Sequence, residues 1–174
     1  MSTRPILIHP DPRLKRRAEP VDGVDEALRA LIDDMLDTMY AAPGIGLAAP
    51  QVGVGKRVFV MDTAKEGPPT PLAMVNPELV WASAEMSVHE EGCLSIPEIY
   101  EPVERPAEVR MRWRDRDGGE CEATFQGLAA VCAQHELDHL DGRLFIDHLG
   151  MVKRSLITAK MKKLKRERAK TGAA

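Results

Sequence analysis

The chain has 174 residues, 44% hydrophobic and 29% charged, which suits one folded domain over residues 1–174 and excludes intrinsic disorder. No apolar run approaches the roughly 18 residues of a membrane span. The three apolar residues Ile6, Leu7 and Ile8 are too few for the roughly 7–15-residue core of a secretory signal, and no Arg- and Ser-rich transit peptide is expected. The net charge of −3 conceals an asymmetry: residues 151–174 hold nine Lys/Arg and Glu167, a net of +8, while the remainder holds 15 basic and 26 acidic residues, a net of −11.

An acidic body with a basic tail predicts a polyanionic partner for the tail alone. Three cysteines make no disulfide framework and point to a reducing compartment. Aromatic residues are 4%, too few for a base-stacking surface, so no sequence-specific nucleic-acid partner is expected.

In chain order, the first 20 residues hold Pro5, Pro10, Pro12 and Pro20 and are expected to run extended, with His9 at the surface. From Asp25, the apolar positions Leu28, Leu31, Ile32, Met35, Leu36 and Met39 predict an amphipathic helix. Asp22 is the expected N-cap and Pro43-Gly44 the stop. Residues 57–62, 72–75 and 79–81 read as strands, with a Pro-rich loop at 66–71. Val109–Arg114 alternates apolar and basic residues, and Asp117-Gly118-Gly119 joins it to Cys121–Phe125 as a β-hairpin with one wet face.

A second helix follows Gln126-Gly127, with Leu128, Val131, Cys132, His135 and His139 on one face and Gly142 as a break. The basic tail predicts a last helix over about 151–170, fraying toward Gly172.

The strongest local signal is His135-Glu136-Leu137-Asp138-His139. Histidines four apart on a helix reach one metal ion, and the glutamate between them is placed to take a proton from a water there. Both rings continue an apolar stripe, where unpaired polar groups are costly. A third protein ligand is needed. The pattern H-E-x-x-H-x-x-G-x-x-H is matched at Gly142 but fails at Phe145, which counts against a metal-dependent endoprotease. Cys93, in Glu91-Gly92-Cys93-Leu94-Ser95, is the best third ligand, because thiolate suits borderline metals. Gly92 and Pro97 place it in a tight turn rather than a strand. His89 and His148 are weaker candidates, and Cys121 and Cys132 read as packing residues.

The stretch Gly44–Gly53 lacks a Gly-Lys-Ser/Thr and is no phosphate loop; its glycines allow close backbone approach, and Gln51 offers an amide donor. Ile45, Leu128, Val131 and Cys132 are candidate walls of an apolar pocket.

Taken together, Gly44-Ile-Gly-Leu-Ala-Ala-Pro-Gln51, Glu91-Gly-Cys-Leu-Ser95 and His135-Glu-Leu-Asp-His139 resemble the three signature motifs of the peptide deformylases, in order and at family-like spacing. The resemblance covers nearly the whole chain. It implies an α+β fold, with antiparallel strands around a central metal-binding helix and a helix near each end. The implied reaction removes the N-formyl group from the formyl-methionine of newly made polypeptides and releases formate. The implied metal ligands are Cys93, His135 and His139, and the implied general acid/base is Glu136. Gln51 and the Leu94 N–H correspond to the groups that bind the formyl oxygen, and Gly46 to a backbone contact with the peptide. His89 departs from the apolar residue many relatives carry. One divalent metal is implied: Fe(II) in the cell, with Zn(II), Ni(II) or Co(II) in purified protein. A cytoplasmic location follows, as does a ribosome contact through the basic helix; no membrane partner is expected.

Overall fold

The computed structural model describes residues 2–172. It contains three α-helices: α1, Glu26–Ala41; α2, Gly127–Leu140; and α3, Met151–Thr171. The strands are β1, Gly46–Ala48; β2, Val58–Met61; β3, Leu72–Ala82; β4, Met86–Cys93; β5, Ile96–Pro106; β6, Glu108–Arg114; and β7, Glu120–Gln126. One antiparallel sheet runs β1-β2-β3-β6-β7, and β4 and β5 form a separate antiparallel ribbon. This is the expected α+β class. Among the described residues no helix is long and apolar enough to cross a membrane.

α1 follows the predicted stripe, with Leu28, Leu31, Ile32, Met35 and Met39 buried. Its cap is Asp25, not Asp22: the Asp25 carboxylate accepts from the Leu28 N–H at 2.8 Å. β2 is buried along its whole length because both sheet faces are covered. Val58 and Val60 pack with α1, while Phe59 and Met61 pack with Ala130, Ala133 and Leu140 of α2. The strands expected at 72–75 and 79–81 are one strand, β3, with a register shift between Val75 and Glu78. Asn76 sits there at φ 49°, and its side-chain amide bonds both the N–H and the carbonyl of Val21. The β6–β7 hairpin forms as predicted: Val109, Met111 and Trp113 are buried and Arg110, Arg112 and Arg114 face out.

The β4–β5 ribbon has no counterpart in the sequence reading. β5 contains Pro97, Pro102 and Pro106, residues that remove ladder donors and argue against a strand. A two-stranded ribbon tolerates them because each strand has a free edge. Cys93 is therefore the last residue of β4, and the turn is Leu94-Ser95.

α3 docks through Ile157 and Met161 into a buried cluster with Leu14, Ile96 and Phe145. The N-terminal segment runs extended, apart from a 3-10 turn at Pro12–Lys15. His9 is not at the surface. It is 4% exposed, with Nε2 hydrogen-bonded to Thr158 Oγ1 at 2.8 Å, because α3 covers the segment.

Burial, with Lys15 close by, holds the His9 pKa down at about 4. The unfolded chain takes up this proton near pH 6.5, the folded protein only near pH 4, so stability falls as pH drops through that window. Between pH 7 and pH 5 this group alone should remove about 2 kcal/mol. Urea unfolding of the parent and a His9→Gln variant at both pH values measures it: the variant should lack that part of the acid loss, and an identical pH dependence would refute the burial effect.

Candidate metal centre

α2 lies between the large sheet and the ribbon. It carries His135 and His139 on one face, one turn apart, and Cys93 reaches them from the end of β4. One donor atom from each residue lies within 4.8 Å of the other two. The two Nε2 atoms are 3.2 Å apart, and Cys93 Sγ is 3.4 Å from His139 Nε2. Lone pairs converging this closely in a buried site call for a cation between them. Two imidazoles and a thiol are borderline-to-soft donors, and the set fits a divalent transition metal.

A second layer fixes the orientation of His135. His135 Nδ1 donates to Glu91 Oε1 at 3.0 Å, which leaves the Nε2 lone pair for the metal. Glu91 also accepts two bonds from Arg105, at 2.6 Å from Nε and 2.9 Å from Nη2. Arg105 Nη1 then donates to Asp138, which faces His148 Nε2 at 2.9 Å. Burial alone would raise the Glu91 pKa. Hydrogen bonds from His135 and Arg105 outweigh it and bring the carboxyl down to about 2, so Glu91 is ionised at neutral pH.

Glu136 is buried, with Oε1 4.0 Å from His135 Nε2 and Oε2 without a hydrogen-bond partner among the described residues. Burial pushes its carboxyl up to about 7, against the pull of His135. Gly46 faces it: a Cβ there would stand 2.6 Å from Glu136 Oε1 and 2.8 Å from Cys132 Sγ, so no larger residue fits without displacement. Gln51 is buried beside the cluster. Its Oε1 accepts from the Ala48 N–H at 2.9 Å, and its Nε2 donates to Ser95 Oγ at 3.0 Å and lies 3.5 Å from Cys93 Sγ. A cleft of about 890 Å³ brings Ile45, Gly46, Gln51, Leu94, Leu128, Val131 and Cys132 together with Cys93, His135 and Glu136. Ile45 is exposed and Cys132 buried on its wall.

Other expected ligand candidates lie outside the group. His89 is half-buried on β4 and His148 binds Asp138, while Cys121, expected as a packing residue, lies on β7. Phe145 is buried and stacks on the His135 ring at 6.0 Å, which explains why an apolar residue occupies that position.

Sequence reasoning missed Glu91, Arg105, Asp138 and Ser95. For Glu91 a signal existed: it sits two residues before Cys93, and a metal-binding histidine needs an acceptor for its second nitrogen, which Glu91 supplies to His135. Asp138 lies between the two histidines in the chain but pairs with Arg105 and His148 instead. Arg105 carries no local signal, because its role depends on the β4–β5 pairing.

Glu91→Gln keeps the size of the side chain but removes the anion that orients His135 and neutralises Arg105. Metal affinity should fall about 10–100-fold, read by chelator competition on the metal-loaded protein. Unchanged affinity would show that the ligand cluster orients itself.

The polypeptide deformylase family model matches residues 3–155. A peptide deformylase of Phenylobacterium zucineum is 57% identical over 94% of this chain and 97% of its own length. One from Rhizorhabdus wittichii is 53% identical over 97% of this chain and 98% of its own. The crystal structure of peptide deformylase from Ehrlichia chaffeensis superposes with a TM-score of 0.92 at 39% identity, covering 97% of this chain and 99% of that one. A second structure of the Ehrlichia enzyme, in complex with actinonin, gives a TM-score of 0.92 at 41% identity over 95% of this chain and 99% of that one. With the Cys93–His135–His139 cluster in place, the fold and these likenesses agree: the chain belongs to the peptide deformylase family.

Proposed function

We propose that this protein hydrolyses the N-formyl group of formyl-methionyl polypeptides and releases formate. The observation that carries the reading is the convergence of Cys93, His135 and His139 beside the buried Glu136 in a family member. The three residues hold one divalent ion, Fe(II) in the cell, with Zn(II), Ni(II) or Co(II) able to replace it. Such an ion supplies Lewis acidity and a water of lowered pKa.

The chain's own residues do the rest. Glu136, poised near neutrality with one oxygen free, takes the proton of the attacking water and delivers it to the leaving amine. The carbon–oxygen bond to water forms, the carbon–nitrogen bond breaks, and formate and a free amino terminus result. Gln51, with its carbonyl fixed by the Ala48 N–H, and the Leu94 N–H donate to the formyl oxygen as it gains charge. Each such donor is commonly worth roughly 3 kcal/mol of barrier.

The methionine side chain fits the apolar wall of Ile45, Leu128, Val131 and Cys132. Among the described residues β1 pairs only with β2, and β4 only with β5, and both border the cleft. A peptide laid between these open edges gains backbone hydrogen bonds without regard to its sequence, with Gly46 as one contact. That suits an enzyme acting on many different polypeptides.

We further assign the protein to the cytoplasm, with α3 as its ribosome contact. Lys160, Lys163, Arg166 and Lys170 are exposed, while Ile157 and Met161 are buried. The cationic face is therefore free to meet RNA phosphates.

Three tests follow. Glu136→Ala should keep its metal and lose formate release from a formyl-Met peptide by at least about 100-fold; full turnover would sink the mechanism. Gly46→Ala should lower turnover at unchanged metal content, because its methyl group forces Glu136 aside. Reversing Lys160, Lys163 and Arg166 to Glu should weaken co-sedimentation with ribosomes in a salt-dependent way while leaving turnover intact. Unchanged co-sedimentation would reject the docking role. Truncating α3 is the poorer test, since it would uncover Ile96 and Phe145.

A further inference from the structure

The N-terminal segment, whose Ile6 and Ile8 line the cleft, straps together its two walls. The Leu7 N–H donates to the Gln51 carbonyl at 2.8 Å, and the His9 N–H donates to the Ser95 carbonyl at 2.9 Å. Gln51 belongs to the wall that follows β1, and Ser95 to the turn that carries Leu94. Their side chains meet as well, through the 3.0 Å bond from Gln51 Nε2 to Ser95 Oγ. The strap therefore sets the distance between two groups on opposite walls.

α3 holds the strap from outside. His9 Nε2 and Thr158 Oγ1 are 2.8 Å apart, and Lys165 Nζ donates to the Ile8 carbonyl at 3.5 Å. Ile157 and Met161 share a buried cluster with Ile96, which follows Ser95 directly. His9 Nδ1 is buried with no hydrogen-bond partner, so Thr158 is the imidazole's only polar contact among the described residues. Losing it would leave a buried ring with none, which favours movement of the strap over retention of the present packing.

We propose that His9 is a positioning residue, coupling the docking of α3, through Thr158, to the placement of Gln51 and the Leu94-Ser95 turn. On this account α3 is part of the catalytic geometry as well as a carrier of charge. The inference rests on the reading that Gln51 and the Leu94 N–H hold the formyl oxygen.

The test uses the full-length, metal-loaded protein. Thr158→Val removes the hydroxyl at nearly constant size, Thr158→Ala removes it with less bulk, and Thr158→Ser retains it. Donors shifted by a fraction of an ångström should cost part of the roughly 10²–10³-fold that losing one outright costs. We expect kcat for a formyl-Met peptide to fall about tenfold in both the Val and Ala variants, with KM and bound metal unchanged. Amide hydrogen exchange over residues 94–96 should quicken, and Thr158→Ser should restore both readouts. Parent-like kcat and exchange in the Val variant would overturn the coupling, as would a fall in kcat that tracks lost metal or lost folded protein. Gln51→Leu run alongside separates the two layers. Full turnover in that variant removes the role given to Gln51, whereas its loss beside a parent-like Thr158→Val refutes the coupling alone.

Discussion

Glu91 is 4% exposed, and its carboxylate holds three elements in register. One oxygen takes the Nδ1–H of His135 on α2, and both accept from Arg105 on β5, while Glu91 itself belongs to β4. Removing one partner of a buried ion pair commonly costs about 3–5 kcal/mol, because the other charge is left without compensation. Here the loss would also free the ring that must present Nε2 to a metal. The orientation of His135 and the attachment of the ribbon to the central helix thus depend on the same carboxylate.

The large sheet supplies the opposite constraint. β2 is buried on both faces, so α1 and α2 are fixed on either side of it. α2 can carry polar ligands on its inner face only because that face meets the ribbon rather than the apolar sheet. The space between the two sheets is where His135, Glu136 and His139 point. The cleft opens where β1 and β4 present edges unpaired among the described residues, and Gly46 lets Glu136 stand against the β1 backbone. The Cys93–His135–His139 cluster and the open strand edges arise from one arrangement, the incomplete closure of two sheets around a helix.

Charge is divided in the same economical way. The apolar stripe of α3 closes the cluster around Ile96 and Phe145, and Lys160, Lys163, Arg166 and Lys170 fall on its exposed side. His9 lies at the join, neutral because it is buried among lysines. The helix is thereby tied to the strap behind Gln51 and Ser95 while its cationic face stays open.

The sequence alone determined those features whose signals are local. Helical periodicity placed α1, α2 and α3. Strict alternation placed the β6–β7 hairpin, and three short motifs placed Cys93, His135, Glu136, His139 and Gln51 in one family pattern. What it misjudged depended on distant partners. Asp25 rather than Asp22 caps α1, because three residues of spacing decide which carboxylate reaches the Leu28 N–H. β3 stays continuous through Asn76-Pro77 because the Asn76 amide is tied to Val21, 55 residues away. β5 exists despite three prolines because each ribbon strand keeps a free edge, and only that pairing brings Arg105 to Glu91. His9 is buried because α3, at the far end of the chain, folds back over it. Local pattern records what a segment prefers; burial and charge pairing belong to surfaces that exist only once segments remote in the chain have met.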